Sequence, residues 1–279
     1  MLRNGLYVIA TPIGNLRDMS PRAVEVLQDS QIIACEDSRV TKKLFSLLGI
    51  SLKKQFISYE DHSEENKAQG LIDLINEGNA IALVSDAGSP LISDPGYKVV
   101  NLCRKNQIYV TVVPGPCAVI CALQLSGLPT NRFMFAGFIP NKDKARQDLF
   151  EELKDIQTTL VFYETAPRLV KTLKQAETFF ADRPLAVIRE MTKMYEQAVN
   201  GTCAELSEYF NKNEPKGEFV IVISPPLKKE NNLQDVRSLL AERLRQTSLK
   251  SAVKEIAHDF NLNKNDVYDL ALELKNEQL

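Results

Sequence analysis

Ala80-Ile81-Ala82-Leu83-Val84-Ser85-Asp86-Ala87-Gly88-Ser89-Pro90-Leu91-Ile92-Ser93-Asp94-Pro95-Gly96 is the stretch on which the fold turns. It opens with apolar residues that do not alternate with polar ones. That pattern predicts a strand covered on both faces, as in a parallel sheet between helices. The segment after it packs two acids, two prolines and two glycines together. Such density of turn formers makes a rigid, curved backbone surface whose N–H groups and carboxylates can face one ligand. Asp94-Pro95 reads as a cap for the next helix. Asp86 has no such duty, and a carboxylate at the end of a buried strand suits the α-amino group of an amino-acid moiety.

Outward from this stretch, short β-branched runs alternate with segments of helical period, which predicts an α/β fold. Expected strands are Leu6–Ala10, Gln31–Cys35, Ala80–Ser85 and Tyr109–Val113, then Phe133–Phe138, Leu160–Tyr163, Leu185–Arg189 and Phe219–Ile223. Helices are expected over Lys144–Lys154, Ala166–Phe180 and Ala204–Lys212, and Ser20-Pro21 is a helix start. The expected organisation is an α/β domain over 1–116, a second over 117–226 and a small all-helical domain over 233–279. The boundary falls at Pro114-Gly115-Pro116, where the chain crosses a cleft, a common place for ligands. Pro225 to Asn232 is the expected linker.

Two further loops follow strands. Thr11-Pro12-Ile13-Gly14-Asn15-Leu16 is either a tight βα turn or a place where backbone approaches a ligand. Val113-Pro114-Gly115-Pro116-Cys117-Ala118 leads into an apolar helix whose unpaired N-terminal amides could receive a carboxylate. Cys117 there is read as a small spectator rather than a nucleophile, because no histidine is positioned beside it. There is no GxGxxG after the first strand, no Walker A loop, no HExxH and no GxSxG, which removes the common dinucleotide, nucleotide, metalloprotease and hydrolase readings.

Composition narrows the classes further. The 279 residues are 44% hydrophobic and 25% charged, a globular profile. With net charge −2 and pI about 5.9, any RNA contact must come from local basic patches. Five cysteines without CxxC spacing and two distant histidines, His62 and His258, predict no metal site. The most apolar stretch, Ile108 to Leu125, is broken by Pro114-Gly115-Pro116 and cannot be a continuous membrane helix. Nothing resembles a signal peptide, and a reducing cytosol is the expected compartment.

At these loops the chain resembles a known family. Thr11–Leu16, Ala34-Cys35-Glu36-Asp37-Ser38-Arg39, the Asp86–Gly96 loop and Val113-Pro114-Gly115-Pro116 are similar to the ribosomal RNA small subunit methyltransferase I family. So are Gly137-Phe138-Ile139-Pro140, Phe162-Tyr163-Glu164 and Arg189-Glu190-Met191-Thr192-Lys193. Order and spacing agree over most of the chain, and a succession of seven motifs is far more specific than any one. The resemblance implies the class III methyltransferase fold shared with tetrapyrrole methylases. Two α/β domains would hold a folded S-adenosylmethionine in the cleft between them, in a cytoplasmic homodimer. It implies methyl transfer to the 2′-hydroxyl of a cytidine in the decoding region of 16S ribosomal RNA, with the small ribosomal subunit as partner. Carried over by motif, the cofactor residues would be Pro12, Ile13, Asp86, Ile92, Cys117, Ala118, Phe162 and Tyr163. Cys117 stands where this family often has serine, which removes a hydroxyl contact.

A ribose hydroxyl is a poor nucleophile until its proton is removed or shared. Asp37 and Glu190, each following an expected strand, are the candidate acceptors; the competing reading is an ion pair, Asp37 with Arg39 or Glu190 with Lys193. Arg39, Lys42 and Lys43 have near-helical spacing suited to phosphate contacts, and Lys142, Lys144 and Arg146 form a second basic group. Solvated faces are the bland alternative. Ala252 to Leu274 has helix-turn-helix spacing, with Ile256, Ala257 and Phe260 on one face, Asn261 at the turn, and Leu262, Val267 and Leu270 continuing the core. Its second helix carries Asp266, Asp269 and Glu273, which repel phosphate, so RNA contact is expected from the earlier Arg243, Arg245 and Lys250. A packing or dimer-supporting module is the alternative. Two rival functions share the fold. One is a tetrapyrrole-like small-molecule methyltransferase, which needs neither tail nor basic groups. The other is a non-catalytic RNA-binding protein, against which the intact loops speak.

Overall fold

The structure, a computed structural model, describes residues 2–59, 64–226, 233–260 and 262–276. The chain divides into two units, Met1–Pro226 and Leu227–Leu279. Residues 227–232 of the expected linker lie outside the described residues, as does Asn261 of the expected helical turn.

The first half of the larger unit runs β1 (Gly5–Ile9), α1 (Pro21–Asp29), β2 (Ile32–Cys35), α2 (Ser38–Leu47), β3 (Gln55–Ser58), α3 (Glu64–Asn76), β4 (Ala80–Val84), α4 (Tyr97–Lys105) and β5 (Val110–Val113). The strands form one sheet in the order β3-β2-β4-β1-β5, all parallel. β1 and β4 are buried at every position because both faces are covered. Tyr7, Ile9, Ala82 and Val84 pack with Ala23, Leu27 and Phe45 of α1 and α2. Leu6, Val8, Ile81 and Leu83 pack on the other face with Leu71, Ile72 and Val99 of α3 and α4. Ser20 caps α1 as expected, accepting the Ala23 amide at 3.1 Å ahead of Pro21. Asp94 is not the N-cap residue of α4. The backbone turns through positive φ at Leu91 (73°) and Ser93 (65°), and Gly96, with no capping side chain, becomes the residue before the helix.

The second half runs α5 (Ala118–Ser126), β6 (Phe133–Phe138), α6 (Asp143–Leu153), β7 (Thr159–Thr165), α7 (Leu169–Phe180), β8 (Leu185–Arg189), β9 (Gln197–Gly201), α8 (Cys203–Lys212) and β10 (Glu218–Ile223). Its sheet has the order β6-β7-β10-β8-β9; only β6 and β7 are parallel. One face buries Leu160, Phe162, Val187 and Ile221 under α6, α7 and α8. The other buries Val161, Ile188, Val220 and Val222 against Val119, Ala122 and Leu123 of α5. β3 and β9 were not expected from sequence. Both are sheet edges of mixed polarity with partly exposed residues, and no alternation announces them.

The smaller unit is α9 (Leu233–Gln246), α10 (Leu249–Asp259) and α11 (Lys264–Asn276). Val236, Leu240, Val253, Ile256, Ala257, Val267 and Ala271 form its own core, with Phe260, Leu262 and Leu270 packed at the edge. Among the described residues no helix is long and apolar enough to cross a membrane.

Candidate active site between the two sheets

β1 and β4 are neighbours in register, Ile9 opposite Val84, so the loops that follow them leave side by side. Thr11 and Gly88 then exchange reciprocal backbone hydrogen bonds of 2.8 and 3.0 Å, which zip the two loops together. Ser89 Oγ donates to the Pro116 carbonyl at 3.0 Å, tying in the turn before α5. From the second sheet, the ends of β7, β8 and β10 meet these loops around a cavity of about 350 Å³, within the range of small-molecule sites. The closest approach is at Gly14. A Cβ there would lie 2.5 Å from Lys193 Cγ and 3.0 Å from the Met191 carbonyl oxygen, so only glycine lets the first loop lie against 190–193.

Several sequence-predicted residues come together in this cavity: Ile13, Asp86, Ile92, Cys117, Ala118, Tyr163 and Glu190 all line it. Asp86 accepts the Asp37 amide at 3.0 Å. Burial pushes its carboxyl above the usual range, and the Asp37 amide bond only partly offsets this. A half-buried carboxylate whose nearby cation, Arg39, is already paired with Asp37 suits an ammonium group supplied by a ligand. Burial also pushes the Tyr163 phenol up strongly, with Cys117 and Asp94 adding to it, while the Val119 backbone pulls the other way through a hydrogen bond. Cys117 is the N-cap residue of α5 and makes no side-chain capping bond.

Glu190 sits in the left-handed region, φ 48°, and its Oε1 accepts from Lys193 Nζ at 3.0 Å and the Glu218 amide at 3.2 Å. Burial raises its carboxyl, but Lys193, the Glu218 amide and Arg189 outweigh burial and hold it below the usual range. The ion-pair reading of Glu190 therefore holds alongside its place on the cavity wall.

Four of the candidate residues stand apart from this cavity. Asp37 is not on the cavity wall; it caps α2 and forms a two-oxygen pair with Arg39, the shortest bond 2.6 Å. The Arg39 guanidinium and amide hold its carboxyl at about 2. Phe162 points the other way from Tyr163, because successive strand side chains alternate; its ring is fully buried against Phe150. Pro12 also lies off the wall. Arg146, expected to meet phosphate, is 1% exposed. Its guanidinium donates to Gln175, to Thr172 Oγ1 at 3.1 Å, to the Asn141 carbonyl at 3.3 Å and to Asp143 at 2.6 Å.

The remaining basic candidates are exposed: Arg39, Lys42, Lys43, Lys142 and Lys144, and, in the smaller unit, Arg243, Arg245 and Lys250. Lys42 covers the Phe56 ring at 5.2 Å and Lys144 pairs with Asp148 at 2.7 Å. Sequence reasoning gave no site role to Glu164. It lines the cavity, yet its side chain is fully buried and bonded to Arg168 at 2.5 Å, Thr172 Oγ1 at 2.6 Å and the Thr165 amide at 2.7 Å. Its place beside Tyr163 in the Phe162-Tyr163-Glu164 motif was the available signal. Phe138 and Lys193 are also on the wall and were likewise unassigned to the donor site. Among the described residues no group of three or more His, Cys, Asp or Glu could hold a metal ion.

The family model described as Tetrapyrrole (Corrin/Porphyrin) Methylases matches residues 5–207, and the RsmI C-terminal HTH domain matches residues 230–275. The chain is 43% identical to the ribosomal RNA small subunit methyltransferase I of Synechocystis sp., covering 97% of this chain and 98% of that protein. It is 40% identical to the protein of the same name from Rickettsia prowazekii, over 93% of this chain and 92% of the relative. Among solved structures, a diphthine synthase aligns with TM-score 0.61 at 13% identity, covering 78% of this chain and 89% of that one. A cobalt precorrin-4 methyltransferase aligns with TM-score 0.56 at 16% identity, covering 78% and 94%. At such low identity these two speak for the fold alone.

Proposed function

The chain belongs to the ribosomal RNA small subunit methyltransferase I family, and from that premise we propose that it methylates the 2′-hydroxyl of a cytidine in the decoding region of 16S ribosomal RNA. It is an S-adenosylmethionine-dependent methyltransferase of ribosomal RNA. The observation that carries the finer reading is the near-full-length likeness to small-subunit methyltransferases, helical C-terminal segment included. We assign residues 1–116 and 117–226 as the two α/β domains and 233–279 as the helical one, in a cytoplasmic homodimer acting on the small ribosomal subunit.

When bound, the donor supplies a methyl group on a sulfonium, open to in-line displacement. The residues of the cavity fit it. Asp86 would accept from the donor's α-amino group, and Ala87, Gly88 and Ile92 on the same wall would hold the rest of its amino-acid end. Ile13, Ala118 and Val220 supply apolar walls that exclude water. Glu190 is kept ionised by Lys193 and is the remaining candidate to take or share the ribose hydroxyl proton through an Oε atom. Its low pKa makes it a weak base, so positioning of the hydroxyl supplies much of the acceleration. Exposed Lys43, Lys142, Arg245 and Lys250 would meet RNA phosphates, and Lys42, Lys144 and Arg243 could do so by leaving Phe56, Asp148 and Glu255.

The test is donor binding by calorimetry, transfer of labelled methyl to small ribosomal subunits, and mass-spectrometric mapping of ribose methylation in cells with and without the protein. The expected label is on one cytidine ribose. A label on a base, or on a porphyrinogen and not on RNA, would refute the assignment.

A further inference from the structure

Strand β6 carries an irregularity that ordinary packing does not require. Residues three apart on a regular strand point to opposite faces. Between Phe135 and Phe138 the register slips: Phe135 pairs with Val161 and Phe138 with Tyr163, so three steps of β6 match two of β7. Gly137 absorbs the extra residue at φ 72°, a conformation that glycine adopts without strain. As a result both phenylalanine rings meet Tyr163 edge-on, with centroids 4.8 and 5.2 Å away. Such bulges are rare in parallel pairs, and beside active sites they re-aim a side chain.

The re-aimed side chain is Phe138. It lines the cavity and yet is 54% exposed, so its ring stands at the mouth rather than in the interior. Its ring meets that of Tyr163 in a T-shaped pair, with the planes 68° apart. A Cβ built on Gly137 would lie 3.9 Å from Ser93 Oγ, so the bulge sits beside the Asp86–Gly96 loop assigned to the donor. We propose that Phe138 is a nucleobase-stacking platform on which the target pyrimidine lies while its ribose enters the cleft. Sequence-specific RNA recognition commonly splays a base out of its stack and lays it on an aromatic side chain. An aromatic face at the rim compensates for the stacking that the nucleotide loses. This inference rests on the reading of RNA as the substrate.

The test compares Phe138→Ala and Phe138→Trp with wild-type protein, using unmodified small ribosomal subunits and labelled S-adenosylmethionine. Loss of a base–aromatic stack predicts that Phe138→Ala lowers kcat/KM for subunits by roughly tenfold or more. Donor affinity by calorimetry and oligomeric mass should stay as in wild type, and Phe138→Trp should recover most of the activity. Unchanged subunit kinetics in Phe138→Ala, a parallel loss of donor affinity, or a change of oligomeric mass would each overturn the stacking role while leaving the proposed function intact. A wild-type protein inert on subunits would instead overturn that function, and the stacking role with it.

Discussion

Replacing Arg146 by alanine separates two readings of the same cation. As a phosphate contact, Arg146 would matter to RNA and not to folding. In the structure its guanidinium is 1% exposed and donates to Gln175, Thr172, Asn141 and Asp143. Three of these acceptors are neutral, and each such bond contributes on the order of 1 kcal/mol net. Asp143 adds less than a buried carboxylate would, because it is 52% exposed and keeps Lys171 at 2.7 Å. The void and the stranded Gln175 acceptor, a buried group whose loss of a partner costs about 1–3 kcal/mol, bring the total to about 3–5 kcal/mol, while Thr172 keeps its bond to Glu164. In a unit of this size that lowers the melting temperature by about 6–20 °C. Scanning calorimetry of Arg146→Ala measures it, and the salt dependence of RNA binding should keep its wild-type slope. Unfolding within about 1 kcal/mol of wild type, together with a salt slope reduced by about one, would refute the structural account.

Asp37→Asn should keep turnover close to wild type at neutral pH, since the carboxylate is committed to Arg39. Its depressed pKa means that this contact is present above the ordinary carboxylate range and is lost as pH falls toward about 2. Asp86→Asn should weaken donor binding by about 10- to 100-fold in calorimetry, the cost of one charge-assisted hydrogen bond. The raised pKa of Asp86 gives the opposite sign: the stability it contributes at low pH is lost as pH rises through its folded value, so the variant should be no less stable than wild type at pH 7. Gly14→Ala should cost donor affinity and about 1–3 kcal/mol of stability, because the new methyl collides with the Met191 carbonyl as well as with the movable Lys193 chain; equilibrium unfolding reads the second. Charge reversal at Arg243, Arg245 and Lys250 should flatten the salt dependence of RNA binding without touching donor affinity, and an unchanged slope would remove the helical unit from the RNA surface.

Sequence alone determined the features that depend on near neighbours. Unbroken apolar runs at Leu6–Ala10 and Ala80–Ser85 announced covered parallel strands, and β1 and β4 are buried at every position. Ser20-Pro21 announced a helix start, and the turn-rich segment after β4 pointed to Asp86, which lines the cavity; Ile13 and Ile92, on the same wall, came only from the family resemblance. Tertiary structure decided the rest. It put Tyr163 into the cleft and Phe162 into the core, although one motif holds both, because alternation assigns them to opposite faces. It turned Arg146 inward, where Thr172 and Gln175 from a distant helix surround it. It also tied Glu190 to Glu218 and brought Gly14 against Met191, pairs separated by long stretches of chain. Periodicity and turn chemistry are written in residues a few positions apart. Which charges are neutralised, and which loops touch, depends on strand neighbours that only the completed sheets bring together.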